Sequence, residues 1–176
     1  MKKYVAPNPE ARILGAAMTA FEQSSERETF LDVLKKYNLD KIDPEVWYPE
    51  QLALDIQKEI KSGPGAMQAL VSIGMVVTTT ALFPPIHSLE DAVMAFAIGY
   101  PMNFRNIDRT EDISAKTVEE GKIKVVNHSP LSDDLVYGFV YGLINRFKPA
   151  GSSPTVEFED YDQCDSDGNT VFYVTF

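Results

Sequence analysis

The sequence predicts an α+β chain: a mainly helical amino-terminal half (residues 1–110), then a β-β-α-β-β half (residues 111–176) forming one antiparallel sheet covered by helices. Three observations predict it. Apolar residues recur at helical spacing through roughly the first hundred positions. An uncharged stretch from Ser62 to Leu89 supplies a helix that is apolar around most of its circumference and therefore central. Beyond residue 110 the period changes to two around a glycine turn. A chain of 176 residues is expected to be a single domain, residues 1–176.

Each element has its own signal. Asn8-Pro9-Glu10 reads as a helix start, with a capping side chain, proline at the first helical position and an acid in the first turn. Ile13, Leu14, Ala17, Met18 and Phe21 continue it at helical spacing. Ser25 and Glu28 form a capping box for a second helix, whose stripe is Phe30, Leu31, Val33, Leu34 and Tyr37. Residues 42–49 form a turn-rich connector holding Trp47, after which Pro49 and Glu50 open a third helix stopped by Gly63. Ala66 to Phe83 is the fourth helix. Ser88 and Asp91 start a fifth, which Gly99 and Pro101 are expected to end.

The alternation of residues 113–118 and 122–126 around Glu119-Glu120-Gly121 predicts a hairpin. Ser129-Pro130 starts a helix with Asp133 and Asp134 in its first turn and Arg146 and Lys148 at its far end, as the helix dipole favours. Residues 155–159 and 170–176 are two further strands, joined through an Asp167-Gly168 turn.

Composition excludes several functions. The hydrophobic fraction of 44% and charged fraction of 24% suit a globular chain and not a disordered one. The formal net charge of −10, with no cluster of Lys or Arg, opposes phosphate backbones, so no nucleic-acid partner is expected. A single cysteine, Cys164, excludes an internal disulfide and a multi-cysteine zinc site. No apolar run succeeds the basic Met1-Lys2-Lys3 start, so no secretory signal is read. Gln68, Ser72 and Thr78-Thr79-Thr80 make Ala66 to Phe83 a buried helix rather than a membrane span, and a cytoplasmic location is expected.

No catalytic constellation emerges, and the chain is not expected to be an enzyme. Asp160, Asp162, Asp165 and Asp167 beside Gly168 suggest a calcium loop, but the register puts Gln163 and Val174 at essential ligand positions; a solvated acidic turn fits better. His87 and His128 are the only histidines, and neither has a partner at metal spacing. Gly138 and Gly142 share one helix face and are read as close packing against the sheet. Tyr137 and Tyr141 run beside them as core or pocket wall, and Met67, Leu70, Val71 and Met75 of the uncharged helix are core or cavity lining.

The run from Lys122 to Pro130, then Asp134-Leu-Val-Tyr-Gly-Phe-Val-Tyr-Gly-Leu-Ile, then two closing strands resembles the haem–nitric-oxide-binding superfamily, which includes four-vinyl-reductase-type sensory domains and Golgi transport subunits. Asp43-Pro-Glu-Val-Trp-Tyr-Pro before a helix, and Ile73-Gly74 in the next, are similar to the non-haem members. The resemblance implies a proximal histidine on the helix before the sheet and a Tyr-x-Ser-x-Arg motif for the propionates. The matching helix from Ser88 to Ile98 has no internal histidine, and Asn127 to Leu131 keeps only Ser129. It therefore implies a sensory domain with no cofactor.

The expected ligand is a small apolar molecule between the helical half and the sheet, lined by Met67, Leu70, Val71, Met75, Phe96, Tyr137 and Tyr141, with no metal ligands. Its output would pass to a protein partner. Two alternatives accompany this expectation: a transport-complex-like interaction module forming a homodimer, and a haem gas sensor using His87 or His128.

Overall fold

The computed structural model describes residues 3–159 and 169–176. Its elements run β1 (Arg12–Leu14), α1 (Gly15–Met18), α2 (Ala20–Gln23), a single 3-10 turn (Arg27–Thr29), α3 (Leu31–Lys36), β2 (Trp47–Pro49), α4 (Glu50–Lys61), α5 (Ala66–Thr80) and α6 (Leu89–Asn103). Then come β3 (Phe104–Arg105), β4 (Asp112–Glu119), β5 (Lys122–His128), α7 (Asp133–Phe147), β6 (Thr155–Phe158) and β7 (Thr170–Thr175). The α+β class and the β-β-α-β-β order of the second half stand as expected. Among the described residues no helix is long and apolar enough to cross a membrane.

The amino-terminal part departs from the expected run of helices. Asn8 does act locally, its side chain accepting from the Glu10 N–H at 3.0 Å, but the element it leads into is a strand. β1 pairs antiparallel with both β2 and β3, setting Ile13 opposite Tyr48 and Phe104. This second sheet, in order β2-β1-β3, was not expected. Strands of two or three residues are too short to show alternation, and Ile13 and Leu14 fit a helical stripe equally well. Arg105 closes the edge by lying 3.7 Å over the Trp47 ring.

The larger sheet has the order β4-β5-β7-β6, antiparallel throughout. Its inner face is set by period two: Ile123 opposes Val174 and Val125 opposes Phe172, all four buried. The Asp167-Gly168 turn, the acidic residues 160, 162, 165 and 167, and Cys164 lie outside the described residues.

α5 and α7 form the spine on which the rest is laid. A Cβ on Gly74 would fall 2.0 Å from the Leu135 carbonyl oxygen, and one on Gly138 would fall 2.1 Å from that of Val71. The glycine face of α7 therefore packs on α5, not on the sheet as expected; α7 turns Tyr137 to the sheet instead, with its ring 5.2 Å from Phe158. Arg146 ties the pair at one end, donating to the Thr78 carbonyl at 2.7 Å.

Candidate functional site

α6 opens on the expected cap, with Ser88 Oγ accepting from the Asp91 N–H at 3.0 Å. It does not stop at Gly99. Pro101 removes one N–H without ending the helix, and Asn103 holds the last turn by donating to the Gly99 and Leu82 carbonyls, both at 2.8 Å. The added turn extends one face from Phe96 through Gly99 and Tyr100 to Asn103.

That face lines a cavity of about 60 Å³. Its other walls are Ile73 and Val77 of α5, Leu135 and Phe139 of α7, and Ile13 and Phe104 of the smaller sheet. Phe139 stacks on Phe96 at 4.0 Å and lies 5.5 Å from Phe83. Phe83 can sit so close to α6 because Gly99 is bare: a Cβ there would be 2.8 Å from the Phe83 ring. Gln57, Tyr100 and Asn103 are the polar side chains in the lining.

Tyr100 carries the chemistry. It is 5% exposed, its ring stacks 4.4 Å from Phe104, and its hydroxyl donates to Glu111 Oε1. Glu111 is itself buried, and Glu50, at the start of α4, is fully buried beside it. As two carboxylates the pair would leave Glu111 Oε2 and both Glu50 oxygens without donors. A proton on Glu50 removes the like-charge conflict and gives the pair a donor. Burial first, then the hydrogen bond and charge of Glu111, push the Glu50 carboxyl up to about 9. Burial, followed by the charges of Glu111 and Glu50, raises the Tyr100 phenol well above its ordinary value.

The structure distributes the sequence-predicted residues widely. Phe96 lines the cavity. Leu70 is fully buried, and Val71 and Met75 lie under Gly138 and Gly142 in the α5–α7 contact. Tyr137 stacks against the sheet, 6.2 Å from the 41% exposed Tyr141, and Met67 is 54% exposed. His87 is exposed, His128 is half-buried on β5 opposite Asp112, and neither lines the cavity. Among the described residues no group of three or more His, Cys, Asp or Glu side chains is placed to hold a metal ion. Sequence reasoning missed Tyr100, although the spacing Ala92, Phe96, Tyr100, Asn103 continues the α6 stripe past Gly99.

The architecture is that of the H-NOX domains, in line with the haem–nitric-oxide-binding-like resemblance. The chain is similar to a protein solved in work on haem redox potential and porphyrin distortion, at 15% identity and a TM-score of 0.63, covering 92% of this chain and 97% of that one. It is also similar to an H-NOX protein from S. oneidensis (12% identity, TM-score 0.59, 93% and 95% covered). A third match is an oxygen-binding H-NOX domain related to soluble guanylate cyclases (16% identity, TM-score 0.58, 92% and 91% covered). No protein-family signature matches the sequence. No curated protein matches it either.

These matches correct the expectation of no cofactor. The solved structures that share the fold are described as haem or H-NOX proteins, one with its oxygen bound. The expectation rested on the absence of a histidine in the helix from Ser88 and on the loss of the tyrosine and arginine of the propionate motif at Asn127 to Leu131; α6, although it runs on to Asn103, still carries no histidine.

Proposed function

We propose that this chain is a cytoplasmic sensory domain on the H-NOX fold that holds a haem-type group in the cavity against α6, acts as a sensor rather than an enzyme, and reports to a protein partner. One observation carries the reading: the cavity lies on the helix before the sheet, in a chain that overlays haem proteins over nine-tenths of its length. The lining is aromatic and aliphatic, as the faces of a macrocycle require, with the space over Gly99 filled by the Phe83 ring. Tyr100, the ionisable side chain of the lining on α6, keeps its phenol proton bonded to Glu111 Oε1 and is not counted as an iron ligand. Bound there, the group would supply a metal centre for a small gaseous ligand.

Two features set conditions on entry. The free volume of about 60 Å³ takes a molecule smaller than benzene, so a macrocycle enters only when Phe83, Phe96 and Phe139 part. No Lys or Arg lines the cavity among the described residues, so the propionates would face outward to water. Output through a partner is supported by Ile98 (57% exposed) and Met102 (41%), apolar side chains one turn apart on the outer side of α6.

The test is addition of hemin to the purified full chain, followed by absorbance and native mass spectrometry. A one-to-one complex with a Soret band distinct from free hemin is expected. A mass and spectrum unchanged from the mixture of free components overturns the reading.

A further inference from the structure

We propose that the closed cavity against α6 binds a small neutral molecule that is apolar except for one hydrogen-bond acceptor. The occupant is an aprotic oxygen compound of the ether or carbonyl class, and Gln57 donates to its oxygen. The inference does not rest on the proposed function. It concerns the cavity with Phe83, Phe96 and Phe139 in place and needs no metal.

One unpaired donor carries it. Gln57 belongs to the buried face of α4, with Ala53, Leu54, Ile56 and Ile60, and is itself 1% exposed. It forms part of the cavity wall. Its side-chain oxygen accepts from the Ser132 N–H at 3.0 Å, which fixes which end of the amide is oxygen and which is nitrogen. The nitrogen is left with no acceptor among the described residues. Ser132 Oγ also lacks a partner, but Ser132 is not part of the wall. The other polar side chains of the lining are engaged. Asn103 accepts from the Leu82 N–H and donates to the Leu82 and Gly99 carbonyls, and the Tyr100 hydroxyl donates to Glu111.

Size and polarity select the occupant. An apolar cavity of about 150 Å³ takes benzene, so one of about 60 Å³ takes about three heavy atoms. No charged side chain lines it among the described residues, so an ion would meet no counter-charge. A water would meet a single free donor group, short of the roughly two to four partners that hold a buried water. An ether or carbonyl oxygen asks for one donor and leaves only carbon against Ile73, Val77, Leu135 and Phe139. A buried amide N–H without an acceptor is costly, so its bond to such a guest is a gain that a hydrocarbon of the same shape does not receive.

The probes are dimethyl ether and propane, which share a shape and differ in the acceptor. Each is titrated into the full chain and followed by methyl and side-chain amide NMR. Saturable shifts are expected at the Ile73 and Leu135 methyl groups of the parent and, with the ether alone, at the Gln57 amide. The ether should bind at least about threefold more tightly than propane, the worth of one hydrogen bond. Gln57→Met keeps the length and removes the donor, and should bring that ratio to about one. The ratio is taken within each variant, so a change in folded stability enters both affinities and cancels. No saturable shift with the ether, a ratio of about one in the parent, or a ratio that survives Gln57→Met overturns the proposal. So does a Gln57 amide that shifts in Ser132→Ala and not with the ether, because it is then paired within the chain. Hemin keeps the two readings apart. Ether binding by a chain that forms no hemin complex supports this inference against the proposed function, and a hemin complex without ether binding does the reverse.

Discussion

Gly138 of α7 rests directly on the backbone of Val71 in α5, so closely that a single added methyl carbon would lie 2.1 Å from the Val71 carbonyl oxygen. Gly74 makes the reciprocal contact one turn along, where an added Cβ would meet the Leu135 carbonyl at 2.0 Å. Two helices meeting backbone to backbone leave no side chain free to yield. Their spacing in turn positions Ile73 and Val77 opposite Leu135 and Phe139, which are walls of the cavity.

Gly138→Ala and Gly74→Ala should therefore each destabilise the chain by at least about 1–3 kcal/mol, the usual range for overpacking, because the clash is with main chain and not with a flexible side chain. Gly63→Ala is the control: its Cβ would lie 3.4 Å from the Ile60 carbonyl oxygen, close to an ordinary contact. Urea midpoints should fall clearly for the first two variants and stay nearly constant for the third. A midpoint for Gly138→Ala equal to that of the parent would mean the helices lie farther apart than described.

The buried acid pair gives the stability a pH signature. Glu50 keeps its proton up to about pH 9 in the folded chain, against an ordinary value of 4.5, so between those limits the folded state binds more protons than the unfolded one. Its contribution is fully present below pH 4.5 and is lost as pH rises toward 9, with a limiting slope of about 1.4 kcal/mol per pH unit. Glu50→Gln carries no titrating proton, and its amide can donate to Glu111. Urea unfolding at pH 5, 7 and 9 should show the variant gaining on the parent at each step. A constant difference across the series would mean that Glu50 is ionised in the folded chain.

The second half of the chain was legible because its signals are local and redundant. The β4–β5 hairpin combines alternation with a glycine turn, and α7 has acids at its start and Arg146 at its end. β1, β2 and β3 were illegible because pairing defines them, and pairing depends on partners such as Phe104 and Tyr48 that lie far away in sequence. The partner of the Gly138 face was misplaced for a similar reason. Spacing shows that two glycines share a face, but not that the opposing surface is α5. Tyr100 was lost through a rule applied too strictly: Pro101 reads as a stop, and the side chain that carries the helix past it, Asn103, comes two residues later.

The cavity makes its own prediction. Phe139 spans the space between Phe96 and Phe83, so Phe139→Ala should destabilise by about 3–5 kcal/mol and enlarge the cavity. An enlarged apolar cavity binds benzene or xenon, and a ligand that binds only the folded state raises its stability. Thermal unfolding of Phe139→Ala should therefore shift upward in saturating benzene, and the parent should shift less. If benzene moves neither, the surrounding helices have collapsed into the gap.

Asn103 ties the last turn of α6 to the segment leaving α5, and its effect should be both local and global. Its side chain accepts from the Leu82 N–H at 2.9 Å and donates to the Leu82 and Gly99 carbonyls at 2.8 Å, while being only 4% exposed. Asn103→Leu keeps the bulk but leaves three buried or half-buried backbone groups without that partner, which should destabilise by about 2–4 kcal/mol. Asn103→Asp keeps the acceptor for Leu82 N–H but turns negative charge on two carbonyls, and should do no better. Since Pro101 already removes one hydrogen bond from this turn, the loss should loosen residues 99–103 first and carry Tyr100 with them. Hydrogen exchange at the Leu82 amide should accelerate more than exchange in β5 or β7. Equal acceleration everywhere would mean that the turn unfolds only with the whole chain, and that Asn103 contributes to overall stability without holding Tyr100 at the cavity.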